Sequence, residues 1–177
     1  NIKSVLSHYD VKLLAYTLKN EGRWKARWYA VENGFRSQAR RVMKQIPFNS
    51  LPLKRKTWHR VKYKGSESGF AYVVPQKKSD SISYYIFFLG DQFFAKALRD
   101  APGSYSVFSP LMGELFSSDN KGNFSELFES FGEKIKESQQ GWIPLSSNQN
   151  LIYFLQPDLQ LYILKRSQVS TLQASSQ

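Results

Sequence analysis

The chain has 177 residues, of which 41% are hydrophobic and 15% aromatic, a composition that buries a core and excludes a disordered polymer. It carries 25 Lys and Arg against 14 Asp and Glu, a formal charge of +11. It has no Cys, which excludes a disulfide framework, a thiolate nucleophile and a Cys-ligated metal, and the two His, His8 and His59, cannot make a three-His site.

The charge is unevenly placed. Residues 1–64 sum to +13 and residues 65–177 to −2. Like charges crowded in this way repel one another, and a polyanion relieves that cost. The asymmetry therefore points to DNA or RNA as partner.

Taken in chain order, Val11, Leu14, Ala15 and Leu18 fall at helical spacing, with Asp10 to cap them and Asn20-Glu21-Gly22 to stop them. Trp24, Trp28 and Val31 fit a second helix, although Trp24, Ala26, Trp28 and Ala30 also alternate as a strand would. Helix is preferred because Asn33-Gly34 supplies a stop. Ala39, Val42, Met43 and Ile46 predict a third helix, capped by Ser37 and ended by Pro47. Residues 47–56 read as a loop. Thr57 to Tyr63 and Phe70 to Val74 read as a hairpin around Gly65-Ser66-Glu67-Ser68-Gly69.

Gln76 to Ser81 reads as a loop, Ile82 to Leu89 as a buried strand and Asp91 to Leu98 as a helix. Residues 103–123 read as an ordered loop with a short helix. Ser125 to Glu137 predicts an amphipathic helix, and Leu151 to Leu155 and Leu159 to Lys165 predict a closing hairpin about Pro157-Asp158. No internal repeat is visible. No apolar run approaches the roughly 20 residues a membrane-spanning helix needs.

The expected fold is α+β: an N-terminal helical layer of winged helix-turn-helix type, an antiparallel sheet, and a C-terminal helix with a closing hairpin. One domain is expected over 1–165, with a basic part at 8–75, a neutral scaffold at 76–165 and a flexible tail at 166–177. The chain opens at Asn1 rather than Met, so its start is read as processed or cut. The compartment is open, with an intracellular one favoured.

The favoured function is nucleic-acid binding without catalysis. Phosphates would meet Arg23, Lys25, Arg27, Arg36, Arg40, Arg41, Lys44, Lys54, Arg55, Lys56, Arg60, Lys62 and Lys64, while Trp58 and Tyr63 would stack on bases. Trp24 and Trp28 are expected in the core. The neutral C-terminal part is a candidate protein-contact surface. A second reading is a metal-dependent nuclease using Mg or Mn, with His59, Glu21, Glu32 and Asp91 as candidate catalytic groups. A third is a protein-interaction or peripheral membrane module. No resident cofactor is expected, and no Walker loop, dinucleotide fingerprint, H-E-x-x-H or G-x-S-x-G motif is present.

Overall fold

The computed structural model describes residues 2–78 and 81–169, in two compact units, 1–99 and 100–177. In the first unit a short helix α1 (Ile2–His8) leads into β1 (Val11–Asn20) and β2 (Arg23–Ala30). A 3-10 turn (Phe35–Gln38), α2 (Ala39–Met43) and a second 3-10 turn (Phe48–Ser50) follow. Then come β3 (Thr57–Lys62), β4 (Ser68–Lys78), β5 (Ser81–Gly90) and α3 (Phe93–Ala97). The five strands form one antiparallel sheet in the order β2-β1-β5-β4-β3.

The sheet has one face closed by helical turns. Along β1, Val11, Leu13, Ala15 and Thr17 are buried in alternation, the period that a pleated strand imposes. Leu13 and Ala15 join Val61, Ala71, Val73, Tyr84, Ile86 and Phe88 on this inner face. Phe35, Ala39, Val42, Ile46 and Leu51 pack on them from the 35–51 segment. Gln45 ties that cover to the edge of the sheet. Its amide accepts from the Lys62 N–H at 2.8 Å and donates to the Lys62 carbonyl at 2.8 Å. Gln38 accepts from the Lys64 N–H at 2.7 Å. Both side chains stand in for a missing neighbour strand and blunt an exposed edge.

The second unit contains β6 (Tyr105–Ser109), β7 (Gly113–Ser117), α4 (Phe124–Ser138), β8 (Gln140–Ser146), β9 (Gln149–Gln156) and β10 (Leu161–Gln168). Its sheet order is β7-β6-β10-β9-β8. Counted within each unit, both sheets run 2-1-5-4-3, and in both the connection from second to third strand carries the helical cover. Here the cover is α4, which buries Phe124 and Ile135 against Phe108, Ile143, Leu151, Tyr153, Tyr162 and Leu164. Phe128 stacks on Phe108 with centroids 4.5 Å apart.

The expected N-terminal helical layer is corrected. The segments expected as its first two helices are β1 and β2, joined by Glu21-Gly22. Both turn residues have positive φ, 52° and 77°, as a two-residue hairpin turn of type I′ requires. Both faces of β1 are at least half-buried, so Leu14 and Leu18 on the outer face fill in the alternation and imitate a helical stripe. No winged helix-turn-helix is present among the described residues. The third expected helix is there as the Phe35–Gln38 turn and α2, with Ala39, Val42 and Ile46 buried. The hairpin of β3 and β4 also holds, although β4 runs past Pro75 to Lys78. Residues 105–117 form a hairpin rather than a loop with a helix, and β8 was not anticipated. Of the tail expected over 166–177, β10 occupies the part to Gln168, and residues 170–177 lie outside the described residues.

Two substitutions test this account. Gln45→Ala removes both bonds to Lys62 and is expected to lower stability by about 1–2 kcal/mol, read as the urea midpoint, while Arg41→Ala on the same cover stays within about 0.5 kcal/mol. Gly90→Ala drives a methyl group into the Asp10 carboxylate, whose Oδ2 accepts from the Gln92 N–H at 3.0 Å. Overpacking of this kind is expected to cost about 1–3 kcal/mol.

Candidate functional site

The basic residues of the first unit do not converge. Arg23, Lys25 and Arg27 project from the outer face of β2, one edge of the sheet, and Arg60 and Lys62 from the outer face of β3, the opposite edge. Four strand spacings separate those edges, about 19 Å. Arg36, Arg40, Arg41 and Lys44 sit on the cover, across the sheet from both groups. Lys54, Arg55 and Lys56 belong to the loop ahead of β3, and Lys64 to the tip beyond it. A phosphodiester trough needs these cations as neighbours on one surface, and the sheet separates them.

The two stacking candidates are sealed inside. Trp58 is 4% exposed and lies parallel to Tyr72, with centroids 4.6 Å apart and Phe94 against it at 5.5 Å. Tyr63 is 1% exposed, donates its hydroxyl to the Leu89 carbonyl at 2.7 Å and meets Phe35 edge-on. Burial, with the Asp10 and Glu32 carboxylates nearby, raises the Tyr63 hydroxyl far above the ordinary phenol range. With no recognition helix among the described residues, the expected cations spread over both faces and opposite edges of the sheet, and Trp58 and Tyr63 sealed inside, the DNA- or RNA-binding reading is corrected.

The acidic candidates are dispersed as well. Glu21 occupies the exposed β1–β2 turn, and Glu32 follows the far end of β2. Glu32 pairs with Lys12 at 2.7 Å, and the same ammonium meets Asp10 at 2.9 Å. Asp91 is exposed in the turn after β5. Among the described residues no three His, Asp or Glu groups gather to hold a metal. His59 lies half-buried on β3 with its Nε2 2.9 Å from the Thr57 hydroxyl.

A different feature stands out on the inner face. Trp24 of β2 and Tyr84 of β5 flank β1, and their rings meet with centroids 5.8 Å apart. Phe48 of the cover lies 5.0 Å from the Trp24 ring. Beside this aromatic group is an open cavity of about 450 Å³ lined by Trp24, Met43, Lys44, Ile46, Pro47, Phe48, Asn49 and Ser50. Its volume lies within the usual range for small-molecule sites. Two buried polar atoms in this part of the sheet lack a hydrogen-bond partner: the Trp24 indole Nε1 and the Thr17 hydroxyl. Thr17 is opposite Tyr84 on β1, on the same face, and is fully buried. Lys19 holds its ammonium 5.8 Å from the Trp24 ring. The Tyr84 hydroxyl faces the Leu51 and Pro52 carbonyls at 3.5 and 3.4 Å.

Of this group, sequence reasoning listed only Lys44, as a phosphate contact, and placed Trp24 correctly as core-facing. Thr17, Tyr84, Phe48, Asn49 and Ser50 were missed. The usable signal was the strand alternation Trp24, Ala26, Trp28, Ala30, which puts two indoles on the face that the 35–51 segment covers.

No family model matches the chain, and no curated protein matches it in sequence. Solved structures do align over nearly its whole length. The extracellular domain of soHK1S-Z6, a candidate histidine kinase, aligns with a TM-score of 0.49 and 12% identity over 99% of this chain and 78% of that one. The ligand-binding domain of the Campylobacter jejuni chemoreceptor Tlp3, in complex with L-valine, aligns with a TM-score of 0.49 and 6% identity over 98% of this chain and 72% of that one. The extracellular domain of vpHK1S-Z8, another candidate histidine kinase, gives 0.46 and 11% over 99% and 74%.

The environment of His59 makes a prediction. Burial disfavours its charged form and lowers its pKa below the ordinary 6.5. Above that value the side chain is neutral both folded and unfolded. Below it the unfolded chain takes up the proton first, so stability falls with pH until the depressed folded value is passed. Urea midpoints measured from pH 7.5 to pH 5 are expected to drop, and the drop is expected to shrink in His59→Gln.

Proposed function

We propose that this chain is a small-molecule-sensing domain, built from two units of the same strand order, with its ligand site on the inner face of the first unit. The observation that carries the proposal is the cavity beside Trp24. Native interiors seldom leave a buried donor without an acceptor. Here the indole that lines an open, partly apolar cavity of ligand size also carries a buried N–H without an acceptor. A small molecule supplying the missing acceptor satisfies both.

The cover is suited to report occupancy. It reaches the sheet through side chains of 3-10 turns and one short helix, and through the Gln38 and Gln45 bonds to an edge strand. A ligand wedged beside Phe48 shifts elements that few backbone bonds hold. The proposal also takes the domain to work outside the cell, the location printed for the histidine-kinase neighbours named above. None of the described helices is long and apolar enough to cross a membrane.

The test is a thermal-shift screen of the full chain against small organic acids, amines, amino acids and sugars. A ligand at a hundredfold excess over its Kd adds about 2.7 kcal/mol, roughly 5–10 °C for a chain of this size. At least one class is expected to shift the first unit's transition in a concentration-dependent way, and Phe48→Ala is expected to abolish the shift. A screen with no such compound contradicts the proposal.

A further inference from the structure

Resting on the small-molecule reading, we infer that the cavity beside Trp24 takes an organic anion, a carboxylate on an apolar body, in preference to an amine or a zwitterionic amino acid. The inference comes from which polar groups are present and which are missing.

Among the described residues, the charged groups at the site are cations. Lys44 lines the cavity, and Lys19 places its ammonium 5.8 Å from the Trp24 ring. Neither shares in the Lys12 ion pairs with Asp10 and Glu32, which stand toward the other end of β1. No described Asp or Glu lines the cavity. The acid closest along the chain, Glu21, is at the exposed hairpin tip and is not part of the lining. An ammonium group entering here meets the like charge of Lys44, with that of Lys19 beside the same indole, and no described carboxylate in the lining to offset them. A carboxylate finds Lys44 on the lining and Lys19 beside the Trp24 ring, on the indole that forms the cavity wall.

The orphaned group has the same polarity. An indole Nε1–H donates and cannot accept, so only an acceptor satisfies Trp24. Asn49 can donate its amide from the rim, while the Ser50 hydroxyl is already turned onto the Pro47 carbonyl at 3.2 Å. The remaining walls, Met43, Ile46, Pro47 and Phe48, are apolar and suit a hydrocarbon or aryl body. Phe48 lies against the indole and belongs to a three-residue turn. Because the N–H is buried, a ligand in the cavity reaches it only when a neighbour moves, and Phe48 is the cavity wall in ring contact with the indole.

Isothermal titration of the full chain with four probes of one shape tests this: phenylacetate, phenylacetamide, phenethylamine and L-phenylalanine. Phenylacetate is expected to bind at least tenfold more tightly than each of the others, with an affinity that falls as salt rises. Trp24→Phe keeps an aromatic ring and removes the N–H, and is expected to weaken phenylacetate about tenfold. Lys44→Gln changes an exposed side chain, leaves the thermal midpoint in place and is expected to weaken it about threefold or more. Should Trp24→Phe fail to fold, Lys44→Gln and the salt series still decide the matter. Tighter binding of phenethylamine or L-phenylalanine overturns the anion assignment and leaves the sensing proposal standing. So does phenylacetate binding that neither substitution weakens. Failure of all four probes also overturns the anion assignment, while the broader thermal-shift screen decides the sensing proposal separately.

Discussion

One face of the first sheet has to be closed, and everything near the candidate site follows from how it is closed. Leu13, Ala15, Ile86, Phe88 and Val73 present a continuous apolar surface across three strands. At roughly 25 cal/mol for each Å² of apolar area removed from water, such a surface cannot remain open. The 35–51 segment covers it with Phe35, Ala39, Val42, Ile46 and Leu51, none more than 7% exposed. The cover is densest over β1, β5 and β4 and thins toward β2. Trp24, Trp28 and Ala30 of β2 are only half-buried, and the cavity opens there. A large flat side chain at the thin end of a cover closes the core and forms one wall of a site.

The same thinning explains the electrostatics. Lys12, near the start of β1, is neutralised by two carboxylates and lies over the Phe35 ring. The opposing influences on it are burial, which lowers its pKa, and its two acidic partners, which together raise it. At the other end of the strand, Lys19 and Lys44 are not matched in this way. The +13 of the first 64 residues is thus divided between a paired cation, two outer sheet edges, the cover and the cavity. It is not a single field.

Much of the structure was legible in the sequence where apolar residues form a single face or one short unbroken run. α4, α3, β5, the β3–β4 hairpin and the Ala39–Ile46 stripe lie close to where periodicity places them. The first two strands were not legible for a physical reason. Residues buried on both sides of a sheet lose their alternation, and Leu14 and Leu18 completed a false helical face. Glu21-Gly22 deepened the error, because a glycine with positive φ ends a helix as readily as it turns a hairpin. β8 was hidden by Gly141 and Pro144, which interrupt any strand pattern. The repeated strand order of the two units leaves no repeat in the residues, since the order is set by connection lengths and by which face is covered. The site was legible only in part. Trp24 could be placed on an inner face, but that Tyr84 and Phe48 converge on it depends on strand order and on the path of the cover.

The central claim is that the Trp24 indole N–H awaits an acceptor brought by a ligand. The chain has four Trp, so its indole N–H groups give four assignable signals in a ¹H–¹⁵N correlation spectrum. Titration with phenylacetate is predicted to move the Trp24 indole proton downfield, as a new hydrogen bond does, and to slow its exchange with water while Trp28, Trp58 and Trp142 hold their positions. A Trp24 signal that stays in place and exchanges unchanged at saturating ligand would contradict the account.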